Sequence, residues 1–108
     1  MSQKEHSLQY HDAAREELLA IAQLHLQLVG PISARKITDR IKGSIDNLCT
    51  SPNIGILCQD DRLAAMGYRY LICGNYLCFY RPINDVIYIY HVVDGRTDYN
   101  KLLTDLQT

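Results

Sequence analysis

The hydrophobic period of this 108-residue chain changes once, near its middle, and that change restricts the fold more than any other feature. From about residue 12 to 50, apolar side chains recur at steps of three and four. Ala14, Leu18, Ile21, Ala22, His25 and Leu28 share one helical face, and Ala34, Ile37, Ile41, Ile45 and Leu48 share a second. Gly30-Pro31 stops the first helix and restarts the second, and Asp12 is placed to cap the first, with Glu16 and Glu17 near its positive end. So short a connection predicts an antiparallel helical hairpin. From Tyr68 to Val93 the chain becomes dense in Tyr, Ile, Val, Leu, Phe and Cys, the residues of strands. Gly74-Asn75 suits a two-residue hairpin turn, and Asn84-Asp85 suits a second. Three antiparallel strands in a meander follow, with Pro82 at a strand end or edge because it donates no ladder hydrogen bond.

Ser7–Tyr10 has room for one more strand, and Thr97 or Asp98 for the cap of a short helix through Leu102, Leu103 and Leu106. The expectation is an α+β single domain over 1–108, an N-terminal helical hairpin packed on a small twisted antiparallel sheet with a short C-terminal helix. The tyrosines, if they share one face, form the side of the sheet that the hairpin leaves open.

Composition narrows the function classes. Eleven Lys+Arg against twelve Asp+Glu give a formal charge of −1, so no global basic field holds nucleic acid. No window resembles a membrane span, and Met1 to His11 lacks the pattern of a secretory signal. Cys49, Cys58, Cys73 and Cys78 form no CxxC and no zinc-finger spacing, which predicts reduced thiols in a cytoplasmic protein with no metal and no cofactor. Phosphate loops, dinucleotide fingerprints, nucleophile elbows and HExxH helices are all missing. The informative polar residues lie on the strands. His91 is a candidate acid or base, although one histidine on an apolar strand is more often a hydrogen-bonded structural residue. Arg69 and Arg81 are candidate grips for phosphate or an acidic partner, against the commoner solvated or ion-paired arginine. Tyr76, Tyr80, Tyr88 and Tyr90 are candidate docking rings, against simple cover for a half-solvated sheet.

The wording goes further. Gly67-Tyr68-Arg69-Tyr70-Leu71, Gly74-Asn75-Tyr76-Leu77-Cys78-Phe79-Tyr80-Arg81, Asp85-Val86-Ile87-Tyr88-Ile89 and His91-Val92-Val93-Asp94-Gly95-Arg96-Thr97-Asp98-Tyr99 together resemble the RelE/ParE superfamily of bacterial toxins. So do Tyr10-x-x-Ala13-Ala14, the two helical seams and the exit Leu48-x-x-x-Pro52-x-x-Gly55, and the resemblance runs over about residues 7 to 103. It implies the toxin half of a type II toxin–antitoxin module and a cognate antitoxin whose extended or helical segment wraps the toxin in a hetero-oligomer.

Two activities compete within the superfamily. Ribosome-dependent mRNA cleavage needs an acid or base and cations for the phosphorane charge. The RelE-like branch supplies arginines at the positions that are Leu77 and Thr97 here, so both cations are missing. The ParE-like branch poisons DNA gyrase by protein contact and needs no catalytic set, and the "FYR" and His91-x-x-x-Gly95-Arg96-x-Asp98 wording resembles it better. An alternative nuclease set remains open: His91 or Tyr99 as acid or base, with Arg81 and Arg96 on phosphate. So does a domain that only binds its antitoxin. Gyrase inhibition is the favoured expectation.

Overall fold

The computed structural model describes residues 5–105; Met1–Lys4 and Leu106–Thr108, and with them the expected helical position of Leu106, lie outside it. The element order is β1 (Ser7–Tyr10), α1 (Asp12–Leu28), α2 (Pro31–Asp46), a single 3-10 turn (Asn47–Cys49), β2 (Ile56–Leu57), α3 (Asp61–Ala65), β3 (Arg69–Cys73), β4 (Tyr76–Ile83), β5 (Val86–Asp94) and α4 (Tyr99–Asp105). Local chemistry explains the joints. Gly30 takes φ 141° and Pro31 opens α2, where its missing N–H costs nothing. Asp12 is the first helical residue rather than the cap, which is His11. In α3, Asp60 Oδ1 accepts from the N–H groups of Arg62 (3.0 Å) and Leu63 (3.1 Å).

The five strands lie in the order β1-β5-β4-β3-β2. The expected meander is present: β3, β4 and β5 pair antiparallel, joined by turns with Gly74 at φ 64° and Asn84 at φ 56°. Beyond it the sheet differs from expectation. β1 joins β5 in parallel, Ser7 opposite Val86 and Tyr10 opposite Ile89, so the sheet is mixed rather than antiparallel. β2 adds a two-residue edge strand against β3. Pro82 sits where β4 runs past the end of β3, so its ring faces no broken ladder on that side.

One face of the sheet carries α1 and α2. Their apolar stripes (Ala14, Leu18, Ile21, Ile41, Ile45, Leu48) pack on Cys73, Cys78, Tyr80, Ile87, Ile89 and Val92. The opposite face carries α3 and α4, whose Leu63 and Leu103 close over Tyr68, Phe79 and Tyr90. The tyrosines therefore do not make one open face. Tyr76 and Tyr80 lie under the hairpin, while Tyr68, Tyr70, Tyr88 and Tyr90 lie on the other side. Leu28, assigned by spacing to the buried stripe of α1, points outward and is 74% exposed, because the helix ends there.

Candidate functional site

The sequence-selected residues fall at four separate places, each built by different elements. His91 lies on β5 just past a bulge: Phe79 pairs with His91 but the next residue, Tyr80, pairs with Ile89. The bulge sets the histidine against α1, where its Nδ1 is 3.0 Å from Glu17 Oε1; beside a carboxylate that nitrogen carries the proton and donates. The same oxygen accepts from the N–H of Val92 at 3.1 Å. His91 is 6% exposed, so this contact fastens the helix to the sheet and does not present an imidazole to a substrate.

Arg81 spreads its guanidinium over the ring of Tyr68, 4.8 Å from the centroid, with Tyr90 at 5.8 Å. Its Nε is buried with no hydrogen-bond partner among the described residues. Burial pushes the Tyr90 phenol above its usual value, and Arg81 pulls in the opposite direction. His11 packs on the far side of Tyr90 at 4.5 Å and edge-on to Tyr88 at 6.3 Å. Arg96 stands in solvent with its side chain 93% exposed, its Nε donating to Asp94 Oδ1 at 3.0 Å. Tyr99 stacks on Phe79 at 4.9 Å and lies 5.8 Å from Tyr70 at the start of α4. The four candidate nuclease residues thus take four different sets of partners.

Arg69 and Tyr80 do come together, and for a purpose that spacing does not reveal. They are cross-strand neighbours, and both hold the loop between the 3-10 turn and β2. The Tyr80 hydroxyl accepts from the N–H of Gly55 and donates to the carbonyl of Pro52, both at 2.9 Å. Arg69 Nη1 donates to the Gly55 carbonyl at 2.8 Å. A Cβ on Gly55 would lie 2.5 Å from the Tyr80 oxygen, so glycine is required there by close approach. Burial pushes the Tyr80 phenol up in turn. Tyr76 performs a similar task at the other end of the hairpin. Its hydroxyl meets His25 Nε2 of α1 at 3.0 Å, and His25 Nδ1 meets Ser33 Oγ of α2 at 3.4 Å.

Glu17, Gly55, His25 and Ser33 are the residues the sequence analysis did not credit. Glu17 was assigned only to the positive helix end, and nothing local connects it to a strand 74 residues later. Where the RelE-like branch would place cations, Leu77 packs beside Val93 and the Thr97 N–H closes a turn on the Asp94 carbonyl at 3.0 Å. All four cysteines are free thiols, and burial pushes Cys58 up to about 11 and Cys78 further. Among the described residues no three His, Cys, Asp or Glu side chains are grouped to hold a metal ion, and no helix is long and apolar enough to cross a membrane.

Known proteins agree with this geometry. In structure, the chain is similar to a protein of the chromosomal ParDE toxin–antitoxin system from P. aeruginosa. The TM-score is 0.71 at 21% identity, covering 85% of this chain and 98% of that one. It is also similar to a chain of the RelBE2 toxin–antitoxin complex from Mycobacterium tuberculosis, with TM-score 0.57 at 18% identity over 83% and 98%. At these identities the likeness speaks for the fold. No curated protein matches the sequence. The family model described as the ParE toxin of the type II toxin–antitoxin system parDE matches residues 8–99, from β1 through the start of α4. With nearly the whole described fold inside that match, the chain belongs to the ParE family and is the toxin of a type II toxin–antitoxin system.

Proposed function

We propose that this toxin arrests growth by binding DNA gyrase through its surface, without acid–base chemistry of its own, and that a cognate antitoxin neutralises it by forming a hetero-oligomer with it. The observation that carries the reading is the engagement of every candidate nuclease group in packing: His91 on Glu17, Arg81 under two phenol rings, Arg96 on Asp94, and Tyr99 on Phe79. A phosphoryl-cleaving site needs an acid or base and cations converging on one point about 3 Å from the reacting atoms. Here the residues take separate partners. Leu77 and Thr97 add no charge, and the formal charge of −1 offers little to a ribosomal RNA surface. Membership of the ParE family and the ParDE neighbour support both halves of the proposal. The antitoxin half is also supported by the amount of apolar surface left without cover, including Leu19, Leu24, Ile54 and Ile72.

The test is purified chain added to a gyrase supercoiling assay. Inhibition with accumulation of cleaved plasmid supports the reading. Unaffected supercoiling, together with message cleavage in a translating extract, would overturn it.

A further inference from the structure

The tip of the helical hairpin is the most apolar exposed region of the chain. Leu28, Val29 and Ile32 are 74%, 73% and 73% exposed around the Gly30-Pro31 joint, although each side chain buried elsewhere would stabilise the fold by roughly 1.5–3 kcal/mol. Val29, Pro31, Ile32 and Ile37 line an open groove of about 580 Å³ bordered by Lys36 and Arg40. Ile32, Lys36 and Arg40 are spaced by one helical turn each, so they form a single stripe along α2. Neither cation is in an ion pair with any described residue. Arg35 adds a third positive charge beside them, and Asp39 is the one acid of α2 before Asp46. A cluster of exposed apolar groups rimmed by unpaired cations, on a chain whose formal charge is −1, is a local inversion of the molecule's charge.

The backbone around the groove limits what fits. α1 and α2 satisfy their own main-chain groups, and the Val29 and Gly30 N–H groups both bond to the His25 carbonyl, so no free strand edge is available for β-addition. An occupant must satisfy its own backbone, which a helix does. From this geometry we infer that the hairpin tip is a docking groove for an acidic amphipathic helix, its apolar stripe on Val29, Ile32 and Ile37 and its carboxylates toward Lys36 and Arg40. The site is independent of the target that the toxin arrests. Basic and apolar groups together also suit an anionic membrane, and an apolar tip also suits a second copy; the charge stripe with self-satisfied backbone favours the acidic helix.

The probe is a fluorescent peptide of about 18 residues, five helical turns, with Leu at helical spacing and Glu elsewhere. It is titrated with the full chain alongside a scrambled peptide of equal composition, a Lys-for-Glu peptide and vesicles containing phosphatidylserine. Sedimentation of the chain alone reports self-association. The ordered acidic peptide is expected to bind and the other two peptides not to. Reversing both charges, Lys36→Glu with Arg40→Glu, should weaken binding about tenfold at low salt. Ile32→Asp should weaken it at least about tenfold. These positions are exposed, so circular dichroism melts of the variants should match the parent. Equal binding of scrambled and ordered peptides, or binding unchanged by Ile32→Asp, would overturn the inference. Vesicle capture or dimerisation lost in the same variants, in place of peptide binding, would overturn it as well.

Discussion

The hairpin side of the sheet and the opposite side are held by different chemistry. Under α1 and α2 the filling is mostly aliphatic, and polar links cross the layers: Glu17 to His91, and Tyr76 through His25 to Ser33. On the other side two short helices cover an aromatic layer in which Tyr70, Phe79 and Tyr99 stack and Arg81 lies on Tyr68. The long helices bring enough apolar stripe to close their face by themselves. The short ones each bring one fully buried leucine, Leu63 and Leu103, so wide rings and a guanidinium spread to fill the rest. The lesson is functional. Residues that look like chemistry in a list of sequence positions are, on both sides, the parts that join layers.

Substitutions can break this comparison in a graded way. Phe79→Ala should cost the most, about 3–5 kcal/mol in chemical unfolding, because a fully buried ring is lost from the side with the least helical cover. Ile45→Ala under the hairpin should cost about 2–4 kcal/mol; equal losses from both variants would mean that the two faces do not differ. Tyr80→Phe removes one hydroxyl and leaves the buried Gly55 N–H without its acceptor, a loss of about 1–3 kcal/mol with faster hydrogen exchange at Gly55. Smallest is Arg96→Ala, within about 0.5 kcal/mol, since its partner Asp94 is also at the surface and exposed pairs contribute little. It should leave toxicity intact.

Alkaline pH sharpens the comparison further. Tyr10 on the hairpin side is pushed up to about 12 and Cys58 on the opposite side to about 11, both by burial. The native state therefore retains protons that the unfolded chain gives up, so stability is complete below about pH 9 and falls as pH rises from there toward 12. Melting temperatures measured across that range should decline with it, and Cys58→Ala should remove the earlier part of the decline.

The sequence made the hairpin, the meander and its turns legible because each is announced by local chemistry: Gly30-Pro31, Gly74-Asn75, Asn84-Asp85 and the two helical seams. α3 was legible too and was passed over, since Asp60 is a strong cap and Gly67 a strong stop. The placement of the tyrosines was also within reach. A two-residue turn pairs Cys73 with Tyr76, so odd positions of β3 share a face with even positions of β4, and Tyr70 and Tyr80 must part. The parallel seat of β1, the two-residue β2, the bulge that throws Val92 onto the hairpin side and the Glu17–His91 contact were not legible. Each depends on segments far apart in the chain, and no residue at either end signals the other. The same is true of the candidate site, whose members were chosen for their chemistry while their partners were supplied by the fold.

The central claim is that this ParE-family chain acts by binding rather than by cleavage. Its most direct test is induction of the chain in a bacterial host, with gyrase-linked DNA breaks and messenger cleavage followed in the same cultures. The account predicts growth arrest with DNA breaks and intact messages. Arrest with codon-positioned message cleavage and no breaks would contradict it.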